Sequence, residues 1–573
     1  MRRRTSLAAA AALSAAWALA ACGIPTDKSP EVVGDAPTDF DSSTGANPET
    51  FAPTTDAAGT VENFLRAAAG DPASTNDRLN SFTASGDAQF SGAKEGIRLV
   101  AGLAFAVDAN DLYSATVSVT GSVVGTYNED GSVRMNPSPS GYSETFTLQR
   151  AQTQDAWEMS TLPVQVALDY DYFGEAYVQA PMYYQAGQAE LLVPDLRWIY
   201  AELDVETRQR LLFEWMMVLG PSDFARQSGS DAIPSGTNGK ITPSDGDVEV
   251  DLSLGEAIDD ETAQAIAAQL VWSLGVDGEF KLTTDGETRA EGEAAQWRNW
   301  NAIPPDLPET AYFIANDEVW EYTTDGKVTT ESAAHPWVGF SAAGLRQVAI
   351  GPGDKIAAVV AGSGGEVLQI GASPSAMRSI TGLNGELEDP QWLDGDRVLV
   401  IVDGVPMLVV PATGATQQLG VGDQLTAMTL AADGRRLAYV EDGLAWVVPL
   451  GLDPDGNLTV GDARQIGPDI EDVSDVAWSS ENFLWVAGKR DDDKLFRVAI
   501  DNSQARAQTG TEPFPQITEI AANPAAPENT VPGRGEPVII VANSTLWRVF
   551  NAGPNEVTNE GEPVGGTAPF TVL

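Results

Sequence analysis

The chain has 573 residues, 43% of them hydrophobic, with 14 Trp, 18 Phe and 12 Tyr, which excludes a disordered protein; at about 150 residues per domain it predicts three or four domains. Its 33 Lys and Arg stand against 82 Asp and Glu, a net charge of −49, which argues against nucleic acid as a partner and opposes adhesion to anionic headgroups. A single cysteine, Cys22, excludes any disulfide within the chain, so stability rests on large cores.

Arg2, Arg3 and Arg4 precede an apolar run from Leu7 to Ala21 that ends in small residues, the grammar of a secretory signal over residues 1–21. The run is about 15 residues long, short of the roughly 20 that cross a bilayer. L-A-A-C-G, from Leu19 to Gly23, resembles a bacterial lipobox. The resemblance implies that the Cys22 thiol takes a diacylglyceryl group and that the leader is cut just before it. Residues 22–58 are rich in Pro, Asp, Ser, Thr and Gly without apolar periodicity, which predicts a flexible tether spanning on the order of 35 Å.

From residue 59 to 170 the pattern predicts an α+β domain. Val61, Phe64, Leu65 and Ala68 share one helical face that ends at Gly70. Strands follow over Leu112–Thr126, with Tyr113, Ala115, Val117 and Val119 alternating inward, then Tyr142–Leu148 and Trp157–Leu168. Asn128–Gly131 and Asn136–Gly141 read as hairpin turns. A helix followed by a curved antiparallel sheet is similar to the small cone-shaped folds of the nuclear-transport-factor type.

Residues 171–300 comprise a connector, Tyr172 to Arg197, and an α/β layer domain. Asp204 caps a helix that gathers Leu212, Trp215, Met216 and Leu219 before Gly220-Pro221 stops it. Val248, Val250, Leu252 and Leu254 then alternate on one strand face. Asp259 caps a second helix with Ala263, Ile266, Ala267, Leu270 and Leu274 inward. The run L-G-P, A-I-P-S-G-T, V-E-V-D-L-S and A-Q-L-V-W-S-L resembles the GerMN domain.

After the Pro-rich joint Ala302–Glu309 one idea repeats over residues 301–573: polar turn, short apolar strand, turn, strand. Aligned on Ile356, Val398, Leu437, Leu484 and Val538, the repeats are spaced by 42, 39, 47 and 54 residues. Four-stranded propeller blades recur at about 40 to 45 residues, so the period predicts a β-propeller of about six blades, the first opening at Tyr312–Tyr322. A β-sandwich of many short strands is the competing architecture. The ordered set of lipobox, C-G-I-P-T-D-K-S-P after the cut, GerMN-like segment and propeller resembles the LpqB lipoproteins of actinobacteria.

Catalytic chemistry finds few candidates. His335, the one histidine, sits in A-A-H-P-W at a turn and reads as a surface residue. No Cys/His cluster suits zinc and no cofactor loop is present. D-P-D-G-N at Asp453–Asn457 has its glycine at position four and Arg464 at position twelve, which fits a solvated hairpin better than a calcium loop. Asp491, Asp492 and Asp493 read as a turn. The residues thus point to a non-enzymatic protein without cofactor or metal. The LpqB resemblance implies an anchored accessory protein on the extracytoplasmic face of the cell membrane that binds the ectodomain of the sensor kinase MtrB. There it would modulate two-component signalling in cell-wall homeostasis and division. The alternative is a lipoprotein that binds wall glycan or peptide.

Cys22→Ala should abolish lipid attachment, because no other thiol exists to form the thioether. Metabolic labelling with a lipid precursor checks this; label persisting on the variant would sink the assignment.

Overall fold

The computed structural model describes residues 51–572, apart from residues 84–95 and 528–537 and short gaps at 110, 153–154, 161–162, 164, 188, 256, 306, 308–309, 324, 454–455 and 551–552. The leader, Cys22 and most of the expected tether lie outside the described residues. The tether ends earlier than its composition suggested. Phe51 packs edge-on against Tyr172 at 5.4 Å, and Trp157 Nε1 donates to the Thr55 carbonyl. Asp56 caps helix α1 (Ala57–Arg66) by accepting from the Gly59 N–H. A Pro- and Thr-rich stretch is thus held by aromatic partners a hundred residues away, which local composition does not register.

In α1 the predicted face, Val61, Phe64 and Leu65, is buried, as is Ala68 just beyond the helix end. Helix α2 (Thr75–Asn80) follows, then strands β1 (Ile97–Ala109), β2 (Ser114–Tyr127), β3 (Val133–Gln149), β4 (Glu158–Met159) and β5 (Ala167–Asp169) in the sheet order β4-β3-β2-β1-β5. The β2–β3 turn falls at Asn128–Gly131. The second expected turn does not separate two strands: β3 continues through Asn136–Gly141, with Ser140 and Gly141 paired to Val123 and Ser122, and the four residues 136–139 form an irregularity where the register with β2 shifts between Val123 and Gly125. Pro137 and Pro139 have no N–H for the ladder, and Asn136 Nδ2 ties the distorted stretch to the Val123 carbonyl at 3.1 Å. Tyr113, expected inside, is 43% exposed. The sheet is also not wholly antiparallel, because β5 runs parallel to β1 over Arg98–Val100.

Helix α3 (Tyr170–Ala176) leads into the supposed connector, which is itself folded: β6 (Tyr177–Gln179) pairs with β9 (Trp198–Tyr200), and β7 (Met182–Gln185) with β8 (Leu192–Asp195). Helix α4 (Val205–Val218) starts at Asp204, whose carboxylate accepts from the Thr207 N–H. Leu212, Trp215 and Met216 are buried, but Leu219 is the C-terminal cap and 38% exposed, because the helical period ends one residue before it. Beyond it β10 (Asn238–Ser244), β11 (Asp247–Ser253), β12 (Glu279–Thr284) and β13 (Glu287–Glu293) form one sheet. Helix α5 (Asp260–Leu274) joins the parallel pair β11 and β12, capped by Asp259 and ended by left-handed Gly275.

Among the described residues, six four-stranded sheets then follow one another, one of them with an extra short strand; we number them as blades 1 to 6. Their first strands, Leu345–Gly351, Leu387–Trp392, Leu425–Leu430, Glu471–Ser480, Ile517–Ala522 and the C-terminal Thr567–Phe570, touch their neighbours in a ring. The five residues used to align the repeats occupy one position. Ile356, Val398, Leu437, Leu484 and Val538 each open the second strand or lie one residue into it, are fully buried, and pair with Ile350, Trp392, Leu430, Trp478 and Ala522. At two of these positions an indole bridges blades: Trp392 Nε1 donates to the Ala349 carbonyl at 3.2 Å and Trp478 Nε1 to the Thr429 carbonyl at 3.3 Å.

Blade 1 is built from both ends of the domain. Its strand Ala311–Ala315 pairs with Thr567–Phe570, and the Phe570 ring stacks on Tyr312 at 5.3 Å. Deleting residues 566–573 leaves Ala311–Ala315 with an open edge, so aggregation by light scattering and a lower urea midpoint are expected. Phe570→Ala should cost about 2 kcal/mol, below the range for a fully buried ring. A monodisperse deletion variant with an unchanged midpoint would argue against ring closure.

Candidate functional site at the domain joint and the propeller channel

The two N-terminal domains rest on one end of blades 4 and 5, where first strands turn into second and third into fourth. An apolar core runs through the joint, from Phe64, Phe146 and Phe173 of the first domain to Phe483, Val486 and Phe496 of blade 5. Trp198 meets Phe483 edge-on at 6.5 Å, and its Nε1 donates to Asp501 Oδ2 at 2.8 Å. The Asp501 carboxylate also accepts from Ser503, and Tyr170 OH donates to the Ser503 carbonyl at 2.8 Å. Burial raises the Asp501 carboxyl above its ordinary range despite these donors.

Glu481 closes the other half of the joint. Its two carboxylate oxygens accept from Asn301 Nδ2 at 2.6 Å and Tyr183 OH at 2.8 Å. Its own turn is braced from blade 4 by Arg436, which is 2% exposed, donates to the Glu481 carbonyl, pairs with Asp433 at 2.6 Å and lies over the Trp478 ring. Burial pushes Glu481 up to about 7, more than the two donors can offset. Close backbone approach completes the contact: a Cβ at Gly451 would lie 2.6 Å from the Gln227 carbonyl, while Gln227 Oε1 accepts from the Asp462 N–H at 2.7 Å. Within the N-terminal pair, fully buried Arg197 joins Asp130 of the first domain to Asp195. Burial opposes its charge, and the two carboxylates overcome that opposition.

Around the propeller channel one sequence position recurs three residues before the first-strand partner of each aligned residue: Gln347, Asp389, Ala427, Asp475 and Glu519. The free edge of an innermost strand carries backbone N–H groups with no strand to take them. Gln347 accepts from Asp389 N at 2.6 Å, Asp389 from Met428 N at 2.9 Å, Asp475 from Ile520 N at 2.7 Å, and Glu519 from Ala568 N. Each bond crosses to the next blade. Burial raises the carboxyls of Asp389, Asp475 and Glu519; Asp389 raises Asp475 further, and Glu519 bears on both aspartates.

Of the residues weighed in the sequence, Cys22 lies outside the described residues. His335 is half-buried, edge-on to Tyr312 at 5.9 Å and tilted against Trp337 at 5.3 Å. Asp453 and Asn457 close a hairpin through the Asp453 N–H to Asn457 carbonyl bond, and Asp491–Asp492 form the two-residue turn between Arg490 and Asp493. Among the described residues no three His, Cys, Asp or Glu side chains are grouped to hold a metal ion. The joint carboxylates and the channel position were missed. The channel position had a signal, an acid or amide at a fixed offset from the repeat, which a search for catalytic motifs passes over.

Trp198→Phe removes one donor from buried Asp501 and should cost about 1–3 kcal/mol in urea unfolding; an unchanged midpoint would mean the indole N–H is dispensable. Glu481 holds its proton more tightly folded than unfolded, so its contribution is fully present below its ordinary value of 4.5 and is lost as pH rises through about 7. Glu481→Gln should therefore flatten the stability profile between those limits, with a difference on the order of 3 kcal/mol across the window. Parallel profiles for the two proteins would place the titration elsewhere.

Three family models match in series: "Lipoprotein LpqB, N-terminal domain" over residues 51–174, "Sporulation and spore germination" over 181–290, and "Lipoprotein LpqB beta-propeller domain" over 325–531. The protein named Lipoprotein LpqB of Corynebacterium jeikeium is 25% identical over 432 residues, 71% of this chain and 72% of that protein. Its namesake in Rhodococcus jostii is 24% identical over 61% of this chain and 64% of its own length. The one in Mycolicibacterium smegmatis is 22% identical over 88% and 90%. Among solved structures, the N-terminal domain of Nup159 is 11% identical over 44% of this chain and 74% of its own, with a TM-score of 0.30, too low to inform the fold. The three matched segments stand in the order of the structural domains, and the chain belongs to the LpqB lipoprotein family.

Proposed function

We propose that this protein is a lipid-anchored, non-enzymatic accessory protein of the cell envelope. Held through Cys22 on the outer face of the cytoplasmic membrane, it binds the extracellular domain of an MtrB-like sensor histidine kinase and modulates two-component signalling in cell-wall homeostasis and division. The observation that carries the reading is the joining of two N-terminal domains to a propeller by buried contacts, Trp198 to Asp501 and Tyr183 and Asn301 to Glu481. Such a body offers broad, fixed surfaces of the size that grips a folded protein. The leader and the name carried by the relatives support the anchor. A tether in the same bilayer as the kinase raises the effective concentration of the two, so a modest interface suffices.

A second reading, capture of an anionic wall ligand, draws on the opposite end of the propeller. There a hollow of about 520 Å³ opens between blades 5 and 6, lined by Lys489 and Lys494 against a single acid, Asp472, with Ser474 and Gln516 beside them. Titrating the soluble chain from Phe51 onward against the purified kinase ectodomain, and against isolated cell wall, separates the two. Binding to the ectodomain and loss of signalling output for Cys22→Ala in cells are expected. No binding in vitro, or normal output from the unanchored variant at native abundance, would count against the kinase reading.

A further inference from the structure

Exposed strand edges invite pairing with other chains, and this protein blunts most of its own. The ring closes the first strands of the propeller on each other. Its outer strands are short or polar: Arg378–Ser379, Ala415–Gln418, Ala505–Ala507 around Arg506, and Gly553–Glu556 with Pro554. In the α/β sheet, β10 carries Lys240 and Pro243, and β13 carries Glu287, Arg289, Glu291 and Glu293. The first domain departs from this. Strand β1 pairs with β5 only through Arg98–Val100, and beyond a bulge at Gly102 the outer edge of 104–109 meets no partner among the described residues. That stretch reads A-F-A-V-D-A, with one charge and no proline.

Apolar surface continues from the edge to the hairpin tip, where Val107 is 49%, Leu112 72% and Tyr113 43% exposed. Contiguous exposed apolar groups beside an open strand mark an interaction surface. The local charge selects the occupant. From Leu99 to Asn128 there is no Lys or Arg, and Asp108 and Asp111 stand at the tip of a chain of net charge −49; the one cation among the described residues that reaches the tip, Arg150, is engaged by the Leu112 carbonyl at 2.7 Å and by the Trp157 ring. A second copy would bring equal charges together over a six-residue edge, far less area than a stable dimer buries.

The geometry points to 104–109 as a β-augmentation site for an extended segment of a basic partner protein, with alternating apolar side chains and a Lys or Arg near Asp108 and Asp111. Main-chain hydrogen bonds supply affinity there and the tip residues supply selectivity. This rests on the strand edge alone and stands independently of the kinase reading.

The test uses the mature chain carrying Cys22→Ser and a synthetic probe, a Lys-flanked peptide of alternating Thr and Val, in three forms: unmodified, N-methylated at alternate amides, and Glu-flanked. With the unmodified probe, hydrogen exchange at 104–109 should slow about tenfold, and the other two forms should protect at least tenfold less. Ala104→Lys with Ala106→Lys, both exposed, should abolish protection with the unfolding midpoint unchanged. Leu112→Ser, at the exposed tip, should weaken binding by about threefold and serves if the double variant fails to fold. Absence of protection at 104–109, equal protection by the methylated or the Glu-flanked probe, or a concentration-dependent dimer that protects these amides without probe would each overturn the assignment.

Discussion

An innermost propeller strand has neighbours on one side only, and the backbone N–H groups on its other edge must be satisfied from across the blade boundary. Gln347, Asp389, Asp475 and Glu519 do this from a single repeat position, each reaching the backbone of the following blade. The arrangement sets three carboxyls around the channel that burial raises, Asp389 and Asp475 being raised further by neighbouring carboxylates. It also fixes blade order, because each bond requires a particular successor. The last link, Glu519 to Ala568, lands on the C-terminal strand that completes blade 1, so ring closure and the polar position depend on each other.

Blade 4 is the exception, with Ala427 at the position that elsewhere carries a polar side chain. Ala427 is 4% exposed and belongs to the same apolar core as Val473, Val476 and Trp478 of blade 5 and the aromatic residues of the first domain. The boundary between blades 4 and 5 is thus sealed by apolar packing, and it is these two blades that carry the N-terminal domains. Polar anchors then give the dock its register. Trp198 and Asp501, or Tyr183 and Glu481, are costly to separate because each separation strands a buried carboxylate.

The propeller was readable because each blade must bury the same residue at the same place, and chance does not repeat that five times at blade spacing. Helix starts at Asp204 and Asp259 were equally legible, since a cap is a local device. What escaped reading was decided at long range. Asn136–Gly141 has the composition of a turn, yet β2 holds it within one strand, with an irregularity at 136–139. Residues 51–58 look like linker but are pinned by Tyr172 and Trp157. The joint offers no motif: Glu481 lies in a turn sequence, and nothing nearby tells that Tyr183 and Asn301 converge on it.

Placement of the dock also divides the surface. One end of blades 4 and 5 is spent on holding the N-terminal domains, and the acids there are buried in satisfied pairs that no outside partner can use without breaking the joint. The opposite end keeps its turns in solvent, with left-handed Asp403, Asp442 and Asp491 between second and third strands. Aspartate tolerates that conformation at little cost, so these residues are explained by turn geometry before any ligand is invoked. These acids share the end with Lys489, Arg490 and Lys494, so a partner approaching it meets charges of both signs. Electrostatics of this kind govern the rate and salt dependence of encounter more than the final affinity. Discrimination between partners must then come from shaped features, the hollow between blades 5 and 6 and the unpaired edge of β1, which lie on different domains of one joined body.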